Sequence, residues 1–296
     1  MSFAAAVHRL RINAFAELTK PRIAALVSMT AAVGYLAGAP KPIPWAGLAH
    51  LIIGTALSAG GASALNQTIE RNIDGKMRRT MLRPIPSRRV SPFEAGVFGC
   101  ALSAAGCAYL WAAVNGLTAL LAALTLASYL GAYTPLKRIT SLNTVVGAVP
   151  GAIPPVGGWA AARGSVGLEA WILFAILFLW QLPHFLAIAW IYRDDYARAK
   201  LAMLPCQDNG GVMTGRQVAL YTLALTPVSL APSVFGMAGA FYFAGALALG
   251  CAFTAFAGRM AWKRNSVSAR RLLTASLLYL PLLLSLLILD RYGGGF

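Results

Sequence analysis

The chain reads LIIGTALSAGGASALNQTIERNIDGKMRRT over residues 51–80, and this stretch changes abruptly from apolar to charged. Its first half has the composition of the inner end of a membrane helix. If the helix continues past residue 65, then Asn66, Glu70 and Asp74 lie on one face, because residues four apart are neighbours on a helix. The sequence therefore predicts three oxygen-bearing side chains stacked at the edge of the hydrocarbon region.

Two neighbouring carboxylates repel each other unless a cation lies between them. Mg²⁺ takes one or two carboxylates from a protein and fills its other positions with water and phosphate oxygens. Basic residues follow the acidic ones directly, at Lys76, Arg78, Arg79, Arg83, Arg88 and Arg89. Acidic groups for a metal beside basic groups for phosphate predict a magnesium–diphosphate site.

The composition is that of a membrane protein that crosses the bilayer several times. The 296 residues are 58% hydrophobic and only 11% charged, whereas soluble domains carry about 25% charged residues. Windows long enough to span a membrane fall at 22–40, 45–66, 92–113, 117–134, 141–160, 169–191, 217–235, 239–258 and 270–290. We expect an all-α bundle of about nine transmembrane helices around a central cavity. It forms a single domain over residues 1–296, with residues 1–21 as an amino-terminal arm.

The basic residues are distributed unevenly between the two ends of these spans. All of the 25 Lys and Arg residues except Lys41, Arg163 and Arg291 fall on the side that holds the amino terminus. An excess of Lys and Arg in short loops marks the cytoplasmic side, so we expect a cytoplasmic amino terminus and a cytoplasmic site. This distribution explains the net charge of +16 without a nucleic-acid partner. Since no long transit arm precedes the first span, a bacterial inner membrane is expected.

Other polar residues sit at membrane depth or at helix ends. Gln181 and His184 flank a proline in the sixth span, WQLPHF, where polar groups are costly and usually face a cavity or the bundle interior. One interpretation is a kinked helix with a hydrogen-bonded histidine, and the other is a cavity-lining histidine that orients a substrate or binds a metal such as a haem iron. Tyr133 and Lys137 are either anion ligands or an interfacial aromatic residue beside cytoplasmic charge.

Five motifs in order resemble one family of enzymes, the protoheme IX farnesyltransferases (haem O synthases), within the UbiA-type intramembrane prenyltransferases. The resemblance covers about residues 15–290, and its motifs are Glu17-Leu18-Thr19-Lys20-Pro21-Arg22; Asn66-x-x-x-Glu70-x-x-x-Asp74-x-x-Met77-x-Arg79-Thr80-x-x-Arg83-Pro84; Tyr133-Thr134-x-x-Lys137-Arg138; Trp180-Gln181-x-Pro183-His184-Phe185; and Asp195-Tyr196-x-x-Ala199-x-x-x-Met203-Leu204-Pro205. Four positions depart from the family pattern. Glu70 stands where aspartate is commonest, and Asn72 stands where aspartate is often found. Lys200 replaces a usual glycine, and Ala199 leaves the second acidic motif incomplete.

The resemblance implies transfer of a farnesyl group from farnesyl diphosphate to a vinyl group of haem b. It implies catalytic roles for Asn66, Glu70, Asp74, Arg79, Arg83 and Lys137. The substrate-binding residues would be Tyr133, Arg138, Asn143, Gln181, His184 and Tyr196, and the Mg²⁺ ligands Asn66, Glu70, Asp74 and Asp195. The expected partners are the lipid bilayer and haem A synthase or oxidase assembly proteins.

Two alternatives remain at this point. Another prenyltransferase of the same superfamily would use a quinone-precursor or benzoate acceptor. A transporter or channel would place its polar residues across the bilayer midplane, whereas the acids and bases of this chain concentrate in the loops on one side.

Overall fold

The computed structural model describes residues 3–293, which fold into an all-helical bundle in which those residues form no strand. In chain order the helices are α1 (Phe3–Leu18), α2 (Pro21–Gly38), α3 (Trp45–Ile69), α4 (Arg71–Asp74), α5 (Pro92–Ala113), α6 (Gly116–Ala127), a π-helix (Ser128–Tyr133), α7 (Thr134–Leu136), α8 (Asn143–Arg163), α9 (Leu168–Ile191), α10 (Arg193–Arg198), α11 (Leu204–Gln207), α12 (Val212–Val234), α13 (Ala240–Lys263) and α14 (Ser266–Tyr292).

The predicted number of membrane-spanning segments is confirmed. Within residues 3–293, nine segments are long and apolar enough to cross a bilayer: α2, α3, α5, the continuous segment Gly116–Leu136, α8, α9, α12, α13 and α14. Their bounds agree with the predicted windows to within a few residues, and α5 coincides with its window. The chain is therefore a multi-pass membrane protein.

Close backbone contacts hold the glycine-rich helix α8 against α2. A Cβ atom added at Gly158 would lie 1.8 Å from the carbonyl oxygen of Ala31, and one at Gly34 would lie 2.0 Å from that of Pro155. Small residues allow membrane helices to approach this closely, and van der Waals packing then stabilises the pair. The small residues of α8 therefore serve its close packing on α2.

The last helix completes the bundle by packing against the first spanning helix. Tyr292 Oη donates to the carbonyl oxygen of Leu36 at 2.8 Å, and Arg291 Nη2 donates to that of Ala39 at 3.2 Å. Fully buried side chains, including those of Tyr242, Phe253 and Leu283, fill the core of the carboxyl-terminal half. The two halves of the chain thus share one core.

Two long connections lie against each other at the end of the bundle that carries most of the basic residues, which we call the basic end. Met77, from the connection after α3, packs with Tyr196, Leu201 and Met203 from the connection after α9. The backbone N–H of Ala202 also donates to the carbonyl oxygen of Lys137 at 2.7 Å. Residues from three separate connections therefore meet in one place.

Candidate active site

A polar pocket of about 590 Å³ lies where these connections meet at the basic end. Its polar side chains come from the ends of α2 and α3, the π-helix and the following turn, and the two long connections. They are Lys20, Asn66, Glu70, Asp74, Arg79, Arg83, Tyr129, Tyr133, Lys137 and Tyr196. Eight of them were predicted from the sequence, and Lys20 and Tyr129 were not.

Glu70 lies at the centre of a buried hydrogen-bonded group. Its Oε2 accepts a hydrogen bond from Asn66 Nδ2 at 2.8 Å, and its Oε1 pairs with Lys137 Nζ at 2.8 Å. Asn66 Oδ1 in turn accepts from Thr134 Oγ1 at 3.0 Å, a contact that the sequence analysis did not anticipate. All four side chains are buried, so the group is held rigidly.

The prediction of one continuous helix through Asn66, Glu70 and Asp74 is wrong in detail. α3 ends at Ile69, and α4 begins at Arg71, because Glu70 adopts a non-helical conformation with φ −88° and ψ 7°. The N–H groups of Glu70 and Asp74 still donate to the carbonyl oxygens four residues earlier. The break therefore turns the chain while the three side chains keep facing one pocket.

Asp74 is the most deeply buried acid of the pocket, with no exposed surface. Arg83 Nη1 donates to both of its carboxylate oxygens, at 2.7 and 2.8 Å. The backbone carbonyl oxygen of Asp74 accepts a hydrogen bond from Thr80 Oγ1 at 2.8 Å. Burying a carboxylate is tolerated only when it is paired and hydrogen-bonded, so Arg83 offsets the cost of placing Asp74 here.

Arg79 links the connection after α3 to the connection after α9. Its Nη2 donates to Tyr196 Oη at 3.1 Å, and its guanidinium carbon lies 4.9 Å from the centre of the Tyr192 ring. Asp195 lies beside this contact, where it pairs with Arg198 and receives a long hydrogen bond of 3.4 Å from the backbone N–H of Arg79. Asp195 is thus next to the pocket without lining it.

Lys20 is a pocket residue that the sequence analysis left without a role. It lies in the turn between α1 and α2 with a left-handed φ of 46°, which aims its side chain into the pocket. Burial lowers the pKa of Lys20 to about 8, and the nearby charges of Arg83 and Lys137 act in the same direction. Within residues 3–293 its ammonium group has no ion pair or hydrogen bond. It is therefore available to an anionic ligand.

A π-helix places two tyrosines on the pocket wall. The segment Ser128–Tyr133 is wound more widely than an α-helix, a feature that often marks functional sites. Tyr129 and Tyr133 lie with their ring centres 5.6 Å apart. Lys137 Nζ lies 4.3 Å from the centre of the Tyr133 ring, which keeps its ammonium group pointed at the pocket.

The remaining predicted substrate-binding residues lie outside this pocket. Arg138 is exposed at the basic end, while Asn143 Nδ2 is fully buried and donates to the carbonyl oxygens of Ala202 and Thr140. Gln181 donates to the backbone of its own helix, at Leu177, and packs on α8.

His184 faces a different neighbour from Gln181. Its Nδ1 lies 2.8 Å from Ser276 Oγ on α14. Trp180 stacks on the imidazole ring, with ring centres 5.0 Å apart, and donates from Nε1 to the Ser276 carbonyl oxygen. The histidine is thus held by α9 and α14, deeper along the bundle than the polar pocket.

An apolar cavity of about 470 Å³ lies next to the polar pocket, one helical turn away. Ala62 and Thr125 line the apolar cavity, and Asn66 and Tyr129, each four residues further along the chain, line the polar pocket. Small-molecule sites are mostly apolar with a few polar groups. Together the two spaces suit an amphiphile with an anionic head and a hydrocarbon tail.

Comparison with known proteins shows which family has this architecture. The sequence profile of the UbiA prenyltransferase family matches residues 27–284. The chain belongs to the UbiA prenyltransferase family. It is therefore a prenyltransferase, and the resemblance noted from the motifs is confirmed.

Several relatives of this prenyltransferase are similar over nearly the whole chain. It is 51% identical to the protoheme IX farnesyltransferase of Solibacter usitatus, with 94% of this chain and 99% of that protein covered. It is 44% identical to the enzyme of the same name from Koribacter versatilis, with 94% and 93% covered. This level of similarity places the chain beside that branch of the family.

Solved structures share the fold of this UbiA family member at low sequence identity. A digeranylgeranylglyceryl phosphate synthase superimposes with a TM-score of 0.81 at 14% identity, covering 96% of this chain and 99% of that one. A UbiA homolog from Archaeoglobus fulgidus bound to GPP and Mg²⁺ gives 0.68 at 16% identity, covering 93% and 99%. These likenesses show the fold.

The donor atoms of the polar pocket fit Mg²⁺. Asn66, Glu70 and Asp74 offer amide and carboxylate oxygens on one wall, and hard cations prefer oxygen ligands. Mg²⁺ typically takes one or two protein carboxylates and fills its other positions with phosphate oxygens and water.

Proposed function

We propose that this prenyltransferase transfers the farnesyl group of farnesyl diphosphate to a vinyl group of haem b. The observation that carries the proposal is the similarity over nearly the full chain to proteins named protoheme IX farnesyltransferase. The allylic C–O bond breaks, and its electron pair leaves with diphosphate. The vinyl group then forms a C–C bond to the farnesyl carbon, and water captures the resulting cation to give the hydroxyethylfarnesyl haem, haem O.

Four cationic side chains bind the diphosphate in this proposal. Arg79, Arg83, Lys137 and Lys20 all line the polar pocket. Positioned charges stabilise negative charge far more than mobile water does, because the site needs no reorganisation when the bond breaks. The two arginines present planar guanidinium groups, which match phosphate oxygens in pairs.

In this proposal Asn66, Glu70 and Asp74 would hold Mg²⁺, with Asp195 beside the pocket on the second connection. The ion would supply Lewis-acid charge to the leaving phosphate oxygens. Lys137 and Arg83 pair with the two acids at 2.8 and 2.7 Å, and each cation is close enough to exchange its carboxylate for a phosphate oxygen. The ion pairs thus hold the acids and the cations in place.

The farnesyl tail occupies the apolar cavity between α2, α3, α5, α6 and α8. Its small and apolar lining shields the allylic cation from water, which prevents hydrolysis. Haem reaches the reacting carbon from the membrane, with His184 orienting it. The contact between His184 Nδ1 and Ser276 fixes the ring, so Nε2 is the nitrogen that faces haem.

The enzyme works in a bacterial inner membrane with the basic end facing the cytoplasm. The concentration of Lys and Arg at that end supports this orientation. Haem A synthase or oxidase assembly proteins are the partners expected for the product.

A direct assay tests this function. The purified protein is incubated with haem b, farnesyl diphosphate and Mg²⁺, and extracted haems are analysed by mass spectrometry. We expect a haem heavier by one farnesyl group and one hydroxyl group, together with released diphosphate. Unmodified haem b, with prenylation of an added quinone precursor instead, would overturn the choice of acceptor.

A further inference from the structure

One end of the apolar cavity is lined by Leu51, Leu110 and Thr118, whereas small residues line its α3 wall. Starting near the polar pocket, its α3 wall is lined by Ala62, Ala59 and Ser58 and ends at Leu51. Leu110 of α5 and Thr118 of α6 meet Leu51 at this end. All three of these end residues are buried, with no more than 2% of their surface exposed. The tail of any bound lipid meets a wall here.

Contacts behind this wall hold it in position. Leu110 packs directly against α3, because a Cβ atom added at Gly54 would lie 2.5 Å from Leu110 Cγ. Thr118 Oγ1 donates to the carbonyl oxygen of Gly157 on α8 at 3.3 Å. Four helices therefore fix this end of the cavity, and interiors packed this tightly do not yield to extra atoms without strain.

The length of the cavity can be compared with that of prenyl chains. Ala62 and Leu51 are separated by about 16 Å along α3 at 1.5 Å per residue. An extended chain of single bonds gains about 1.15 Å per bond, as an extended polypeptide does. On that scale the farnesyl main chain spans about 13 Å and the geranylgeranyl chain about 17 Å. The separation between Ala62 and Leu51 is longer than the farnesyl chain and slightly shorter than the geranylgeranyl chain.

We propose that Leu51 and Leu110 form the floor that limits the prenyl donor to the farnesyl length. This inference rests on the proposed function, since it takes the apolar cavity as the site of the donor tail. Removing either leucine side chain opens space for one more isoprene unit. Filling the middle of the cavity at Ala59 removes the space for the last unit of farnesyl.

The test compares donors of three lengths in the full-length protein. Equilibrium binding is measured with the thiodiphosphates of geranyl, farnesyl and geranylgeranyl alcohols in the presence of Mg²⁺, and haem b prenylation is measured with the corresponding diphosphates. The variants are Leu110→Ala, Leu51→Ala and Ala59→Phe. The matched control is Leu48→Ala, because Leu48 belongs to the same buried cluster and does not line the cavity.

We expect Leu110→Ala and Leu51→Ala to raise the preference for geranylgeranyl over farnesyl by at least about tenfold, since added apolar contacts change selectivity by about 10–200-fold. Ala59→Phe should shift the preference toward geranyl, and Leu48→Ala should leave the ratios unchanged. If Leu110→Ala does not fold, Leu110→Val carries the test with a smaller shift in the same direction.

Unchanged ratios in folded floor variants would overturn the inference, as would wild-type protein that binds both longer donors equally. Donor binding is measured without haem b, so the length limit can be tested independently of the proposed reaction. Length-selective binding without farnesylated haem overturns only the proposed acceptor. Farnesylated haem with no length selection overturns only the floor.

Discussion

Replacing Asp74 with asparagine removes one charge from the pocket while keeping the shape of the side chain. The wild-type carboxylate is fully buried and accepts two hydrogen bonds from Arg83 Nη1, at 2.7 and 2.8 Å. In the variant one oxygen becomes an NH₂ group that cannot accept a hydrogen bond. A proposed metal ligand loses its charge, and Arg83 loses its ionised partner.

The size of each effect follows from these contacts. Losing one preorganised electrostatic group typically lowers kcat by about 10²–10³, or about 3–4 kcal/mol. Breaking a fully buried ion pair costs about 3–5 kcal/mol of stability. The Arg83 side chain is 24% exposed, so water screens its unpaired charge and the stability cost should be nearer about 1–2 kcal/mol. Activity should therefore fall far more than stability.

The assay measures kcat/KM for farnesylated haem as Mg²⁺ is raised, alongside the thermal midpoint of the purified protein. The control is Asp194→Asn, an acid of the neighbouring connection whose side chain is 89% exposed. We expect the control to retain wild-type turnover. Turnover by Asp74→Asn within about threefold of wild type, in folded protein at low Mg²⁺, would refute the electrostatic role given to Asp74.

Three further predictions concern single side chains. Arg79→Lys should lower kcat/KM for farnesyl diphosphate about tenfold, because a point charge replaces a planar group. The control Arg78→Lys, at the exposed neighbouring position, should leave kcat/KM unchanged. Both values are measured by steady-state kinetics, and an unchanged kcat/KM for Arg79→Lys would contradict its role. Lys20→Met should weaken binding of farnesyl thiodiphosphate about tenfold. The control Lys41→Met, at the other end of the bundle, should not change this affinity. Equal affinities of the two variants would show that Lys20 does not bind the diphosphate. His184→Ala should lower haem O formation and spare diphosphate binding, so normal haem use by this variant would contradict its role.

The membrane helices could be predicted because their signal is local. A window of about twenty apolar residues is sufficient to identify a span, and the α5 window matched the helix residue for residue. The break at Glu70 could not be read in this way. At the break, Glu70 pairs with Lys137, which lies 67 residues further along the chain.

The pocket was predicted where charged residues cluster in sequence and missed where the fold alone brings them in. Asp74 and Arg83 are nine residues apart and pair as charge complementarity requires. Lys20 enters through a left-handed turn, and Tyr129 through a π-helix. Neither backbone feature follows from residue type, so neither residue was singled out from the sequence.

Polarity at membrane depth identified residues that need partners without identifying the partners. Gln181 and His184 are three residues apart in one motif, yet one packs on α8 and the other contacts Ser276 of α14. Which helix lies opposite each side chain is a property of the whole bundle. Their roles in binding haem stay predictions.

The central claim is that Asn66, Glu70 and Asp74 share one divalent cation with the diphosphate of the donor. The most direct measurement is a crystal structure with farnesyl thiodiphosphate and Mn²⁺, in which anomalous scattering locates the metal. The account predicts one Mn²⁺ within bonding distance of these oxygens and of the diphosphate, with Lys137 and Arg83 turned toward phosphate. A donor bound with its diphosphate away from this pocket, or with both ion pairs intact and no metal between them, would contradict it.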